Sequence, residues 1–193
     1  IDGMRYTRQG QACTAGSRVY IHEKIYDKVL NGAVEKLSKL KMGNALDEKS
    51  DIGAIISEEQ LKRTLYYMDI AKKNSSTKIL HGGNQSKGGD YKDGFYYEPT
   101  LLSGLPVSSP VCQEEVFGPV ACAIPFKSFD EVMESANDTQ FGLSAVLWTK
   151  DLSRALQFVD EIEAGFVQVN QCVAPRANVS YGGIKMSGLG KEY

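Results

Sequence analysis

The residues best suited to chemistry stand near the start of the chain, in the segment Gly-Gln-Ala-Cys-Thr-Ala-Gly-Ser-Arg over residues 10–18. Cys13 has small neighbours, so a substrate could approach its sulfur closely. A cysteine thiolate is a strong nucleophile, and covalent catalysis is the chemistry that this segment could perform. A cysteine between alanine and threonine can also be a small buried hydrophobic residue. The segment alone leaves both interpretations open.

The other cysteines show no functional pattern. Cys122 lies inside an apolar run and is expected in the core, whereas Cys112 and Cys172 lie near predicted loops. No two cysteines are two to four residues apart, so the spacing offers no metal site and we expect no metal ligands. Four cysteines in 193 residues are too sparse for a disulfide scaffold, which favours a reducing compartment.

A second reactive segment, Gln-Glu-Glu-Val-Phe-Gly-Pro, covers residues 113–119. Its adjacent carboxylates could accept hydrogen bonds from ribose hydroxyls, and Phe117 could offer a flat apolar face to an aromatic ring. The alternative interpretation is a solvated turn.

A third segment, residues 181–190, is rich in glycine and resembles a phosphate-binding loop at first sight. That interpretation fails because Gly190-Lys191 is followed by Glu192 rather than by serine or threonine. The segment also does not open a helix after a strand, as such a loop requires.

Hydrophobic periodicity predicts the elements that position these segments. Residues 17–21 alternate between polar and apolar and predict a strand. Apolar residues at helical spacing between Ile21 and Leu40 predict a helix that ends before Gly43. Residues 57–60, Ser-Glu-Glu-Gln, form a capping-box pattern in which the Ser57 oxygen and the Gln60 amide satisfy backbone donors. A second helix should follow and end near Asn74.

The rest of the chain continues the alternation of strands and helices. The segment 82–94 is polar and rich in glycine, which predicts an exposed loop. Helices should begin at Ser128, in another capping box, and at Asp151. Parallel strands need crossover helices of this length, so we expect a three-layer α/β domain with a mostly parallel sheet. The predicted strands are residues 78–81, 120–126, 143–148 and 166–170.

The composition excludes several classes of protein. With 22 basic and 24 acidic residues the formal net charge is −2, which excludes a strongly basic nucleic-acid binder. The 42% of apolar and 24% of charged residues exclude a disordered chain. No apolar run reaches the ~18 residues of a membrane span, and the visible portion of the chain contains no signal, so a cytoplasmic location is expected.

Taken together and in order, the segments resemble the catalytic domain of the NAD(P)-dependent aldehyde dehydrogenase superfamily. The resemblance covers essentially the whole chain and implies one catalytic domain over residues 1–193. The matching blocks are Gly10-Gln11-Ala12-Cys13 with Ala15-Gly16-Ser17-Arg18, Glu114-Glu115-Val116-Phe117-Gly118-Pro119, Asn137 with Phe141-Gly142-Leu143-Ser144-Ala145, Gly165 with Val169-Asn170, and Tyr181-Gly182-Gly183-Ile184-Lys185-Met186-Ser187-Gly188.

The resemblance implies that Cys13 attacks an aldehyde to give a thiohemiacetal, which transfers a hydride to the nicotinamide of NAD or NADP. The thioester that remains is hydrolysed to the carboxylic acid. The main-chain N–H of Cys13 would be one donor to the oxyanion.

The resemblance also implies roles for five further residues. Glu115 would hold the ribose on the nicotinamide side, and Phe117 would pack against the nicotinamide. Gln60 and Arg63 lie where the family often places weaker contacts to the same ribose. Tyr181 aligns with an aromatic residue near the substrate passage, where the family commonly has phenylalanine.

Several parts of the family's machinery are expected outside this sequence. The general-base glutamate, the asparagine of the oxyanion hole and the Rossmann-like coenzyme domain should lie upstream of Ile1. The strand that joins subunits should lie partly upstream and partly beyond Tyr193, and the parent protein should be a homodimer or homotetramer. We therefore expect this chain alone to bind dinucleotide weakly and not to turn over aldehyde.

Two other hypotheses remain open at this point. Cys13 could pair with His22 or His81 in a cysteine hydrolase, because a thiolate and an imidazole form a legitimate nucleophilic pair. The chain could also keep the fold without any chemistry, as a binding or structural domain.

Overall fold

The structure, a computed structural model, describes residues 6–174 and 176–193. The chain separates into two compact units, Ile1–Pro125 and Phe126–Tyr193. The single domain expected from the sequence stays a prediction.

Short strands and amphipathic helices make up the first unit. Its helices are Tyr26–Leu37 (α1), Glu58–Lys73 (α2) and Pro110–Gln113 (α3), with 3₁₀ turns at Thr7–Gly10, Glu23–Ile25 and Gly89–Tyr91. Its strands are Arg18–His22 (β1), Lys78–His81 (β2), Gln85–Ser86 (β3), Tyr96–Tyr97 (β4), Thr100–Ser103 (β5) and Val120–Phe126 (β6).

The main sheet of this unit has four strands in the order β1-β6-β5-β2. Strands β5 and β6 are parallel, with Leu102 opposite Cys122. Strand β2 runs antiparallel to β5 at the end of that order. Parallel strands are buried on both faces, and β5 accordingly shows buried residues throughout.

The two faces of β6 belong to two separate apolar cores, since successive side chains of a strand point to opposite faces. Val120, Cys122 and Ile124 pack in one core, and Ala121 and Ala123 pack in the other. Helices cover both faces, which confirms the predicted α/β class. The first core contains Leu61, Tyr67, Met68 and Ala71 from α2, and the second contains Leu30, Ala33 and Leu37 from α1.

The second unit is also built from short strands and helices. A parallel pair, β8 with β9, is accompanied by the two antiparallel pairs β7 with β11 and β10 with β12. The predicted capping box at Ser128 is present, with reciprocal bonds between Ser128 and Glu131. The elements are Phe129–Asn137 (α4), Phe141–Gly142 (β7), Ser144–Leu147 (β8), Leu152–Glu161 (α5), Phe166–Val169 (β9), Tyr181–Gly182 (β10), Ile184–Lys185 (β11) and Lys191–Glu192 (β12).

Some sequence predictions need correction. Strand β5 was not predicted, although it is an inner strand of the main sheet. It has only four residues between Pro99 and Gly104, and both of these residue types are typical of turns. The segment 82–94 contains the short strand β3, and its Gly83 is buried. The first helix starts at Tyr26 rather than near Ile21.

Among the residues that the structure describes, no helix combines the length and the apolar character needed to cross a bilayer.

Candidate functional site

Cys13 lies at the tip of a tight turn. The Ala15 N–H donates to the Ala12 carbonyl at 3.0 Å, which closes the chain around Cys13 and Thr14. The thiol is exposed. An exposed thiol on a turn is accessible to a substrate, and its exposure contradicts the interpretation of Cys13 as a buried hydrophobic residue.

Gln11 ties this turn to the beginning of α2. Its side-chain oxygen accepts a hydrogen bond from the Ile56 N–H at 2.9 Å, and its own N–H donates to the Arg8 carbonyl at 2.9 Å. The segment that carries Cys13 is therefore fixed to the residue that precedes the cap of α2.

The N-terminus of α2 departs from the predicted capping box in one informative way. Ser57 accepts a hydrogen bond from the Gln60 N–H at 3.2 Å, as expected. The Gln60 side chain does not complete the box. Its amide nitrogen instead donates to the carbonyls of Val116 and Phe117, at 3.0 and 2.9 Å. Both carbonyls belong to a partly buried loop, where a backbone acceptor needs a donor.

Arg63 continues the same connection one turn further along α2. Its Nε and Nη2 donate to the Glu115 carbonyl at 3.1 and 2.6 Å. The guanidinium carbon lies 5.2 Å from the centroid of the Tyr67 ring, within the range of a cation–π contact.

Tyr67 forms a hydrogen bond with the side chain of Glu114, the residue before Glu115 in the same loop. Its hydroxyl donates to Glu114 Oε2 at 2.7 Å. Burial, together with this bond to a carboxylate, raises the pKa of Tyr67 to about 12. The phenol is thus held as a proton donor to Glu114.

Phe117 has a backbone conformation that is rare for a residue with a side chain. Its φ is 56°, in the left-handed region, which costs a non-glycine residue roughly 1–2 kcal/mol. The Gln60 bonds to carbonyls 116 and 117 hold the peptide on both sides of this residue. The next residue, Gly118, approaches α2 so closely that an added Cβ would lie 2.4 Å from Thr64 Oγ1.

A hollow of about 390 Å³ opens beside this loop. The ring of Phe117 supplies an apolar face, and Arg63 and Glu59 supply opposite charges. Glu115 is half-buried and is linked to the lining of the hollow, because its carbonyl accepts a hydrogen bond from Arg63. The lining residues are Ile56, Ser57, Glu59, Gln60, Arg63 and Phe117.

The structure therefore brings Phe117, Gln60 and Arg63 to one hollow, with Glu115 adjacent. The Cys13 thiol does not line that hollow, but its turn is bound to the rim through Gln11 and Ile56.

Sequence reasoning missed the contributions of Tyr67 and Glu114. A signal was present, since Gln60, Arg63 and Tyr67 recur at helical spacing and so share one face of α2.

Tyr181 belongs to the second unit. It lies in β10, and its ring meets that of Phe166 edge-on at a centroid distance of 5.3 Å.

Both histidines use ring nitrogens for backbone contacts. His22 Nδ1 accepts from the Lys24 N–H at 3.2 Å, and His81 Nδ1 lies 2.7 Å from the Pro99 carbonyl. That carbonyl can only accept, so His81 carries a proton on Nδ1. These local roles disfavour the hydrolase hypothesis.

A sequence profile described as "Aldehyde dehydrogenase family" matches residues 3–193. The chain belongs to the aldehyde dehydrogenase family. This membership confirms the resemblance drawn from the motifs of Cys13, Glu115 and Phe117.

Individual aldehyde dehydrogenases show how much of such a protein the chain represents. An aldehyde dehydrogenase of Rhodospirillum rubrum is 40% identical over 184 residues, which cover 95% of this chain and 36% of that protein. A D-glyceraldehyde dehydrogenase (NADP(+)) of Picrophilus torridus is 38% identical, covering 97% of this chain and 38% of the relative. The chain thus spans little more than a third of the length of the relatives that it matches.

A solved structure agrees with the fold. The betaine aldehyde dehydrogenase of Staphylococcus aureus in complex with NAD+ superposes with a TM-score of 0.93 at 34% identity. The match covers 98% of this chain and 37% of that one. The α/β architecture is therefore that of an aldehyde dehydrogenase.

Proposed function

We propose that the chain is the catalytic part of a protein that oxidises an aldehyde to a carboxylic acid with NAD or NADP. The observation that carries this proposal is the exposed thiol of Cys13, on a turn bound through Gln11 to the rim of the hollow that Phe117 lines. The names of its relatives support it, since they include a betaine aldehyde dehydrogenase and an NADP-linked D-glyceraldehyde dehydrogenase.

Cys13 forms the covalent bonds of this reaction. Its thiolate attacks the carbonyl carbon, and the electron pair of the C=O bond moves to oxygen. The Cys13 N–H donates a hydrogen bond to that oxyanion. When bound, the nicotinamide dinucleotide accepts the hydride. Hydrolysis of the thioester on Cys13 then releases the acid and restores the thiolate.

The residues near the hollow fit a nicotinamide riboside. Phe117 offers an aromatic face for the nicotinamide, and the half-buried Glu115 carboxylate can accept hydrogen bonds from ribose hydroxyls. Gln60 and Arg63 belong to the same site, where their bonds to carbonyls 115–117 hold both of those side chains in place. Such positioning lowers the entropic cost of binding.

Tyr181 is proposed to border the substrate passage of the intact protein. The family resemblance also supports a homo-oligomeric parent protein. Both proposals concern the longer protein rather than this chain alone.

Protection of the thiol tests the role of Cys13 directly on the present chain. The tryptic peptide Gln9–Arg18 contains Cys13 and no other cysteine, so its alkylation by iodoacetamide can be followed by mass spectrometry. We expect a simple aldehyde to slow this alkylation, whereas an ester or a peptide should not. Cys172, in a different tryptic peptide, is the internal reference. Equal protection of both cysteines, or protection by the ester alone, would contradict the proposal.

Turnover in the longer protein provides the second test. Cys13→Ser should abolish the formation of reduced dinucleotide from aldehyde, because an alcohol without an activated oxygen cannot replace the thiolate. Cys172→Ser is the matched control and should retain turnover.

A further inference from the structure

The segment that leads to Cys13 has an unusual backbone conformation. Arg8 has φ 54° and ψ 37°, Gln9 has φ 58° and ψ 27°, and Gly10 follows with a φ of 72°. These are values of the left-handed helical region, which a residue with a Cβ atom adopts at an energetic cost. Two such residues in succession persist only where the surrounding structure holds them, and such residues are concentrated at functional sites. The contacts that hold this turn therefore bear on the position of Cys13.

Gln9 holds the turn at its middle. Its side-chain oxygen accepts a hydrogen bond from the Gly53 N–H at 2.7 Å, and its side-chain nitrogen donates to the Arg8 carbonyl at 3.1 Å. Gly53 is buried, so its N–H needs an acceptor within the protein. The missing side chain of Gly53 makes room for this contact, because an added Cβ would lie only 3.3 Å from the Gln9 amide.

Gln11 makes the same kind of bond two residues later. Its side-chain oxygen accepts a hydrogen bond from the Ile56 N–H at 2.9 Å. Gly53 and Ile56 belong to the segment that leads into α2. Two glutamine side chains on the way to Cys13 thus bind main-chain N–H groups of one short stretch, residues 53–56.

The same stretch leads to the side chains that hold the nicotinamide loop. Residues 53–56 bind the segment that carries Cys13, and side chains further along α2 bind carbonyls 115–117 beside Phe117. In the proposed reaction the carbon attached to the Cys13 sulfur must lie at a fixed separation from a nicotinamide that faces Phe117. A misplacement of about 1 Å can slow such a step by about a hundredfold.

We propose that Gln9 and Gln11 are positioning residues that fix the Cys13 sulfur relative to the nicotinamide. Each acts through a main-chain N–H of residues 53–56, and neither needs to touch the substrate. This role rests on the proposed function, because it concerns the geometry of that reaction. The two hydrogen bonds do not depend on it.

Amide hydrogen exchange tests the two bonds on the present chain. Gln11→Met keeps the length of the side chain but removes its acceptor, and Gln9→Met does the same two residues earlier. We expect exchange of the Ile56 amide to accelerate by about tenfold in the first variant, and that of the Gly53 amide in the second, because each loses one hydrogen bond. Unchanged exchange at both amides would overturn the proposal, whether or not Cys13 is the nucleophile.

Turnover of the longer protein tests the consequence of the bonds. Gln11→Met should lower kcat by roughly ten- to hundredfold. The KM for the dinucleotide and the alkylation rate of Cys13 by iodoacetamide should change little, because the hollow and the exposed thiol remain. Gln11→Glu keeps an oxygen acceptor for the Ile56 N–H and should retain most of kcat. Gln157→Met, the same substitution on α5, is the matched control and should retain kcat.

Three kinetic results would overturn the positioning role. One is an unchanged kcat in a Gln11→Met variant whose Ile56 amide exchanges faster. Another is an alkylation rate that falls as far as kcat, which would indicate general damage to the turn. The third is an equal loss in Gln11→Glu and Gln11→Met, since the acceptor would then be irrelevant.

Two further measurements keep these outcomes separate. Gln11→Asn keeps the amide on a side chain one methylene shorter, and it replaces the methionine variant if that variant does not fold. Turnover that survives Cys13→Ser would refute the proposed function instead, and the exchange rates of the Gly53 and Ile56 amides would still report on the two glutamine bonds.

Discussion

The amide nitrogen of Gln60 lies 2.9 Å from the carbonyl oxygen of Phe117, whose φ of 56° places it in the left-handed region. The same nitrogen also binds the Val116 carbonyl at 3.0 Å. One side chain of α2 thus holds the peptide groups on both sides of a strained residue. Gln60 therefore stabilises the conformation of this loop independently of any contact with a cofactor.

Replacing Gln60 with leucine should destabilise the chain and loosen the loop. Two carbonyls in a partly buried loop would lose their donor, which costs about 1–3 kcal/mol of unfolding free energy. Urea denaturation measures the loss, and hydrogen exchange at the Phe117 and Gly118 amides should become faster. Gln157→Leu is the matched control, because among the described residues the Gln157 amide donates only to exposed Glu161, at 2.9 Å. Equal effects of the two substitutions would contradict the assignment.

The buried tyrosines Tyr97 and Tyr6 should respond in opposite ways to loss of the hydroxyl. Tyr97 is 1% exposed, and within the described residues its hydroxyl has no hydrogen-bond partner. Tyr97→Phe should therefore leave stability unchanged or raise it by up to about 1 kcal/mol. Tyr6 donates to the Thr100 carbonyl at 3.0 Å, so Tyr6→Phe should cost about 0.5–1.5 kcal/mol. Thermal or urea unfolding of both variants checks the ordering, which must not be reversed.

Tyr67 should make the chain less stable in alkali. Its folded pKa of about 12 exceeds the ordinary value of 10.0, so between these values the unfolded chain has lost a proton that the folded chain keeps. The stability that this group contributes is fully present below pH 10 and is lost as the pH rises toward 12. Urea unfolding at a series of alkaline pH values should show a shallower decline for Tyr67→Phe than for the unsubstituted chain. Tyr66→Phe, which alters an exposed neighbour, should keep the original slope.

Two glycines should differ sharply in their tolerance of alanine. Gly118→Ala would place a Cβ 2.4 Å from Thr64 Oγ1 and 3.1 Å from its methyl carbon. Thr64 is fully buried and cannot retreat, so we expect a loss of about 1–3 kcal/mol. Gly32 lies within α1, and apart from its chain neighbours and the backbone of its own helix no described atom lies within 4 Å of the added carbon. Gly32→Ala should therefore stabilise by about 0.5–1 kcal/mol. Calorimetry of the two variants distinguishes them, and a harmless Gly118→Ala would show that the loop can move away from α2.

Local patterns predicted the elements whose signals are contained in a few adjacent residues. Strands β2 and β6 have their predicted bounds, and the Ser128 capping box is complete. Each depends on a short run of adjacent residues or on a bond across one helical turn.

What the sequence could not show depends on distant residues. Strand β5 is only Thr100–Ser103, and it becomes a strand because β2 and β6 pair with it on its two sides. The Gln60 side chain likewise matched the capping-box pattern in the sequence. In the structure its amide donates to carbonyls of residues more than fifty positions away along the chain.

The loop over residues 114–117 is held from α2 by three side chains, Gln60, Arg63 and Tyr67, through the carboxylate of its first residue and the carbonyls of the next three. An engineer who transplants the Glu-Glu-Val-Phe-Gly-Pro hexapeptide into another scaffold would therefore transfer the loop without the helix that holds it. The helical turns from Gln60 to Tyr67 must be transferred with it. A host that lacks them would contain the sequence of the motif without its conformation.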